Sequence, residues 1–236
     1  MPLAPSYSGN RAVAVRGKTQ RLLSGIYHQQ WINPTTASTT AYRSTGIAGP
    51  NTTTISVTRT GGAGIVAGNF SFDGTLALGS PDFPRNVVIT VTHGSSVVAE
   101  SGVISGVDVY GKNISEAWSV TAGTTSKTFT GKKSFARVDS VTITAASDAS
   151  ANTNVIGNGT VLGLDCKITV QVAGAAAVPV LKEIVANAVV TNGVFVGAGT
   201  ASTDDPRGTY APNSAPNGST IYDVWYISDD PENSAP

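Results

Sequence analysis

Residues 87–92 read Val-Val-Ile-Thr-Val-Thr, and residues 138–144 read Val-Asp-Ser-Val-Thr-Ile-Thr. Every side chain of the first run is β-branched, and the second alternates apolar with polar. β-Branched residues lose rotamer freedom in a helix and pack well on a pleated surface. Alternation with period two puts one face of a strand in a core and the other in water. The same pattern extends outward from these runs. It is seen at Val103–Val109, at Trp118-Ser119-Val120-Thr121, at Leu162-Gly163-Leu164 and at Ile168-Thr169-Val170-Gln171-Val172. Turn formers separate the runs: Gly94-Ser95, Gly111-Lys112-Asn113, Ala122-Gly123, Gly131-Lys132 and Asn158-Gly159. Short strands at this spacing predict an all-β fold, an antiparallel β-sandwich of Ig-like or jelly-roll-like type, over residues 65–175.

Two flanking regions read differently. Residues 1–64 are rich in Gly, Ser, Thr, Pro and Asn, with apolar residues only in small clusters such as Leu22-Leu23, Ile26-Tyr27 and Trp31-Ile32. That composition predicts an extended N-terminal arm that inserts side chains into a neighbour. Residues 176–236 continue the β pattern as a C-terminal β segment with an acidic tail, packed on the core or forming a small lobe. Within it, residues 180–187 suit either two helical turns or a strand. Asn217-Gly218 followed by Ile221-Tyr222-Asp223-Val224-Trp225-Tyr226-Ile227 predicts a turn and an aromatic strand.

The chain has 236 residues, equal numbers of acids and bases, and only 13% charged residues, about half the usual ~25%. It is short of the Glu, Lys and Leu of a helical bundle, and 40% hydrophobic content argues against disorder throughout. The neutral average hides an asymmetry. Residues 1–72 carry Arg11, Arg16, Lys18, Arg21, Arg43 and Arg59 and no acid, whereas residues 201–236 carry six acids against Arg207. Such polarity marks a segment that meets a partner surface. The candidate interface is therefore Arg11, Arg16, Lys18, Arg21, Tyr27, Trp31 and Arg43. A chain without net positive charge is not expected to bind nucleic acid, and no apolar run is long enough for a membrane helix. The N-terminal residues lack the layout of a secretion signal, and one cysteine cannot close an internal disulfide. Both point to assembly in a reducing cytoplasm.

No catalytic, metal or cofactor site is expected. His28 and His93 have no second ligand at a suitable spacing, and read as surface or turn residues. Asp204-Asp205 and Asp229-Asp230 are adjacent pairs that point apart on a strand. Gly61-Gly62-Ala63-Gly64 and Gly157-Asn158-Gly159 complete no phosphate-binding motif. Cys166 reads as a small buried hydrophobe. Trp225, Tyr222, Tyr226 and Asp223 have the residue types of a carbohydrate site, but their strand-like spacing favours a core or an interface.

Three stretches carry a resemblance. They are Pro84–Thr92, then Val103–Glu116 with Gly106, Asp108, Gly111 and Glu116, then Phe129–Ile143 with Gly131, Lys132 and Phe135. This order of strand, Gly-x-Asp-x-x-Gly turn and Gly-Lys…Phe strand resembles a pattern in virion structural proteins of tailed bacteriophages. It covers about 60 of the residues. Here the turn reads Asp108-Val109-Tyr110-Gly111, more apolar than that pattern. The resemblance implies a non-enzymatic virion protein of the capsid decoration or cement type, bound to the major capsid protein and self-associating, with a trimer favoured. Tail-tube, neck and fibre-base proteins are the alternative, and a carbohydrate-binding module a more distant one. A basic arm suits an acidic shell, where complementary charge supplies steering and register.

Overall fold

The structure is a computed structural model. It describes residues 12–13, 21–22, 25–60, 70–165, 180–191, 193–197 and 205–228, with the backbone alone for 12–13, 21–22, 25–27, 180–181, 197 and 227–228. The described residues are all-β. Their strands are β1 (Ala12–Val13), β2 (Arg21–Leu22), β3 (Gly25–Ile32), β4 (Ser38–Ala48), β5 (Ile55–Thr58) and β6 (Phe70–Ser71). There follow β7 (Arg85–Thr92), β8 (Glu100–Val107), β9 (Asn113–Val120), β10 (Ser126–Thr130), β11 (Arg137–Ile143) and β12 (Thr153–Gly163). The last are β13 (Val180–Val185), β14 (Ala188–Val190), β15 (Val194–Gly197), β16 (Gly208–Ala211) and β17 (Ile221–Ser228). One 3-10 turn, Ala149–Ala151, precedes β12.

The chain forms two compact units: a central unit of residues 37–161, and a terminal unit of residues 1–36 with 162–236. The central unit is a β-sandwich. One layer runs β10-β7-β12, with β4 also paired to β12, and the other runs β6-β5-β11-β8-β9. The β10–β7, β12–β4, β11–β5, β11–β8 and β8–β9 pairings are antiparallel, and the two-residue β5–β6 contact is parallel. Val87, Ile89 and Val91 of β7 are inaccessible, while Thr90 and Thr92 are not. They meet Ile104, Trp118, Phe135, Val141 and Ile143 in one apolar cluster. Burial of such side chains contributes ~1.5–3 kcal/mol each and is the main force joining the layers.

Strand β11 departs from simple alternation in an instructive way. Val138 and Val141 both point inward although they are three positions apart, an odd step. A bulge between Val138 and Ser140, opposite β8, inserts the extra residue and resets the parity. Asp139 sits in that bulge and accepts from Arg137 Nε at 2.7 Å and Arg59 Nε at 2.8 Å. Burial pushes its pKa up, but these hydrogen bonds outweigh the effect and hold it low.

Three expectations are corrected. Residues 1–64 are not an arm throughout: β3 pairs along its whole length with β17, and β4 and β5 are strands of the sandwich. Thr-rich β4 has no apolar alternation, so only its pairing with β12 makes it a strand. Asn158-Gly159 is not a turn but lies inside β12. Asn158 Oδ1 accepts from Ser38 N at 2.9 Å, and a methyl group on Gly159 would collide with the buried Asn86 amide. In β8 Ile104 is buried and Val103 exposed, as is Val109 beyond the strand's end.

In the terminal unit, β14-β13-β17-β3 form a four-stranded antiparallel sheet, and β15 pairs with β16, which pairs with Leu162-Gly163 at the end of β12. Residues 180–185 are therefore strand, not helix. Tyr222, Val224 and Tyr226 point inward from β17. Trp31 stacks on Tyr210 with ring centroids 6.2 Å apart.

Candidate functional site

The outward face of the four-stranded sheet brings together an imidazole, an indole, an ammonium, an amide and a carboxylate. Because β17 lies between β3 and β13, register decides which residues meet. Trp225 stands opposite His28 on one side and Lys182 on the other, and Asp223 stands opposite Gln30 and Ile184. His28 stacks on the Trp225 ring at 4.4 Å between centroids, and Lys182 Nζ lies 5.7 Å from it. Asp223 Oδ1 lies 2.8 Å from His28 Nε2 and accepts from Gln30 Nε2 at 2.8 Å. His28, Gln30 and Lys182 are exposed, and Trp225 and Asp223 half-buried.

This geometry limits what the face does. An aromatic platform for a sugar needs one open ring face. His28 and Lys182 flank Trp225 from its two neighbouring strands, so its faces are engaged by side chains of the protein. Tyr222 and Tyr226 lie on the opposite face of β17. The Tyr222 hydroxyl donates to Ala215 O at 2.8 Å, and that of Tyr226 to Gln29 Oε1 at 3.2 Å. The four residues singled out for a carbohydrate site thus separate into an outward pair and an inward pair.

The expected interface residues are distributed as follows. Arg11, Arg16 and Lys18 lie outside the described residues. For Arg21 and Tyr27 the backbone alone is described, within β2 and β3. Trp31 is only 1% exposed, so its ring serves the terminal unit's interior. Arg43 donates to Ser71 O at 2.8 Å, pairs with Asp73 at 2.9 Å and covers the Phe70 ring. It ties β4 to the segment around β6. Burial pushes the Asp73 carboxyl up, but hydrogen bonds from Thr45 and Ser44 outweigh this and hold it at about 2.

The other polar residues flagged in the sequence hold backbone. His93 Nδ1 accepts from Ser95 N and Ser96 N at 2.9 and 3.1 Å, closing the turn after β7. Asp205 Oδ1 accepts from Arg207 N and Gly208 N. Cys166, Asp204, Asp229 and Asp230 lie outside the described residues. No cluster of three or more His, Cys, Asp or Glu suited to a metal occurs among the described residues. The His28–Asp223 pair escaped sequence reasoning because 195 positions separate its members, and only the β3–β17 pairing brings them together.

The residues of the quoted phage-like pattern all have structural tasks. Asp108 Oδ1 accepts from Tyr110 N and Lys112 N at 2.9 Å, and Gly111 takes φ +79°, a conformation that favours glycine. The buried Glu116 carboxylate accepts from Lys132 N at 2.7 Å and Lys133 N at 3.3 Å. Phe135 is inaccessible in the core. Against protein-family models, curated proteins and solved structures, the chain finds no match.

Proposed function

We propose that this chain is a non-enzymatic structural protein of a tailed-phage virion, a decoration or cement protein that binds the outer face of the shell and stabilises it. The observation that carries the reading is the use made of the phage-like pattern. Its Gly106-x-Asp108-x-x-Gly111 turn, Glu116 and Phe135 specify a sandwich module, holding a turn, a loop and the core. A pattern that encodes packing rather than chemistry suits a protein whose work is contact. The basic stretch Arg11, Arg16, Lys18 and Arg21 is the element assigned to the shell, by charge complementarity with the major capsid protein.

The alternative within the same class is a tail-tube, neck or fibre-base protein, and stoichiometry separates the two. Quantitative mass spectrometry of purified particles measures copies of this chain relative to the major capsid protein. Near parity, or a simple fraction of the shell, is the expected result. A dozen to several dozen copies would move the protein to the tail or neck, and absence from particles would overturn the virion reading.

A further inference from the structure

Residues 193–197 read Gly-Val-Phe-Val-Gly, the same sequence in both directions. They are β15 (Val194–Gly197) and the residue before it, and β15 pairs with β16 on one side and ends its sheet on the other among the described residues. Val194 and Val196 are 66% and 45% exposed, and Phe195 is half-buried. No charged residue occurs between Glu183 and Asp204. Natural edge strands are normally blunted by a lysine, an inward charge, a proline or a bulge, because an open ladder pairs with any available strand. The central unit follows that practice. Its edge strand β9 carries the inward Glu116, and its edge strand β10 carries Lys127. Strand β15 has none of these devices.

We propose that β15 is a homotypic docking edge, at which a second copy of this chain pairs its own β15 antiparallel about a two-fold axis through Phe195. The palindrome selects this occupant. In that register Gly193 faces Gly197 of the other copy, Val194 faces Val196, and Phe195 faces Phe195. Every residue meets its equivalent or its own kind, the condition for an isologous contact. Exposed valines then form two cross-strand Val–Val pairs, and the ladder is continued by main-chain hydrogen bonds. The absence of charge removes the repulsion that a two-fold axis imposes on any charged residue near it. This inference stands on the strand's sequence and exposure, and holds whether or not the chain belongs to a virion.

Sedimentation velocity of the full chain over a wide concentration range tests it. The expected result is a reversible association that Val196→Lys or Val194→Lys weakens at least ~10-fold, since each substitution enters the interface twice and faces a valine. Val189→Lys, at an equally exposed valine of β14, leaves the association unchanged. In a Cys166→Ser background, the double variant Val194→Cys/Val196→Cys forms a covalent dimer on mild oxidation, because opposed strand positions fall within disulfide reach. A monomer at every concentration would overturn the proposal. So would an oligomer that both lysine variants leave intact.

Discussion

In the central unit, Phe135, Ile104, Trp118 and Val141 are almost inaccessible and belong to one apolar cluster drawn from both layers of a sandwich. In the terminal unit the inaccessible set mixes Trp31, Tyr210, Tyr222 and Tyr226 with the carboxylate of Glu183. Glu183 accepts from the Tyr210 hydroxyl at 2.5 Å, from Gly193 N at 2.7 Å and from Asn213 N at 3.2 Å. Gln29 performs a similar task, donating to Gly163 O and accepting from Asp165 N, each at 3.1 Å. The apolar cluster of the first unit is held by volume and shape. The second is stable only while each buried donor keeps its acceptor, so it specifies one arrangement of loops.

The contrast breaks most sharply at Phe135. Phe135→Ala removes a fully buried ring and leaves a cavity that two facing sheets cannot close, at a cost of about 4 kcal/mol. Chemical denaturation measures the loss, and hydrogen exchange locates it in β7, β8 and β11. A loss below about 1 kcal/mol would mean that the sandwich collapses around the gap.

Glu183 is the corresponding position in the terminal unit. Glu183→Ala strands the Tyr210 hydroxyl and Asn213 N without an acceptor and leaves Gly193 N only the Tyr210 oxygen, at 2.8 Å, and is expected to cost about 3 kcal/mol. Tyr210→Phe costs less, about 1 kcal/mol, because the carboxylate keeps its backbone donors. Burial and the neighbouring Glu183 both push the Tyr210 pKa up, which fits a hydroxyl that donates to a carboxylate. A double-mutant cycle reads the coupling directly, and additive single effects would show that the two side chains act separately.

The same contrast explains what the sequence disclosed. Strand β7 announces itself by β-branching, β11 by alternation and β17 by an aromatic run after a turn, because apolar packing leaves a local trace. The bulge at Asp139 leaves a faint one, the three-residue step from Val138 to Val141. Strand β4, Ser38-Thr39-Thr40-Ala41-Tyr42-Arg43-Ser44, has few apolar residues to set a period, and its identity rests on its partner β12. The polar interior leaves no local trace at all. Glu183 is one acid in a β-prone run, and its three donors come from residues 193, 210 and 213. The outward His28–Trp225–Lys182 row is equally silent, since it is written in strand register rather than in spacing.

One buried carboxyl in the central unit obeys neither rule, and it supplies the smallest predicted effect with the opposite sign. Glu100 is 3% exposed in β8, and neither carboxyl oxygen has a donor at good hydrogen-bond geometry. Burial pushes its pKa up, against a smaller opposing pull from Asn152 and Asn154. Each neighbouring amide spends one N–H on backbone, Asn152 Nδ2 on Val98 O and Asn154 Nδ2 on Ile47 O, which leaves one N–H apiece for the carboxyl. A raised folded pKa means that the carboxyl supports the fold when protonated. That contribution is complete below the unfolded value of 4.5 and is lost as pH rises through the folded pKa. At neutral pH the charged form therefore costs stability. Glu100→Gln, uncharged at every pH, is expected to raise stability by about 1 kcal/mol at pH 8 and to raise Tm by a few degrees. The advantage shrinks as pH falls through the raised pKa, when wild-type Glu100 becomes neutral too. Thermal unfolding of both proteins across that range checks the sign. A glutamine variant less stable than wild type at pH 8 would show that the carboxylate is satisfied in its pocket, and that the apolar unit, like the polar one, rests on a specific buried charge.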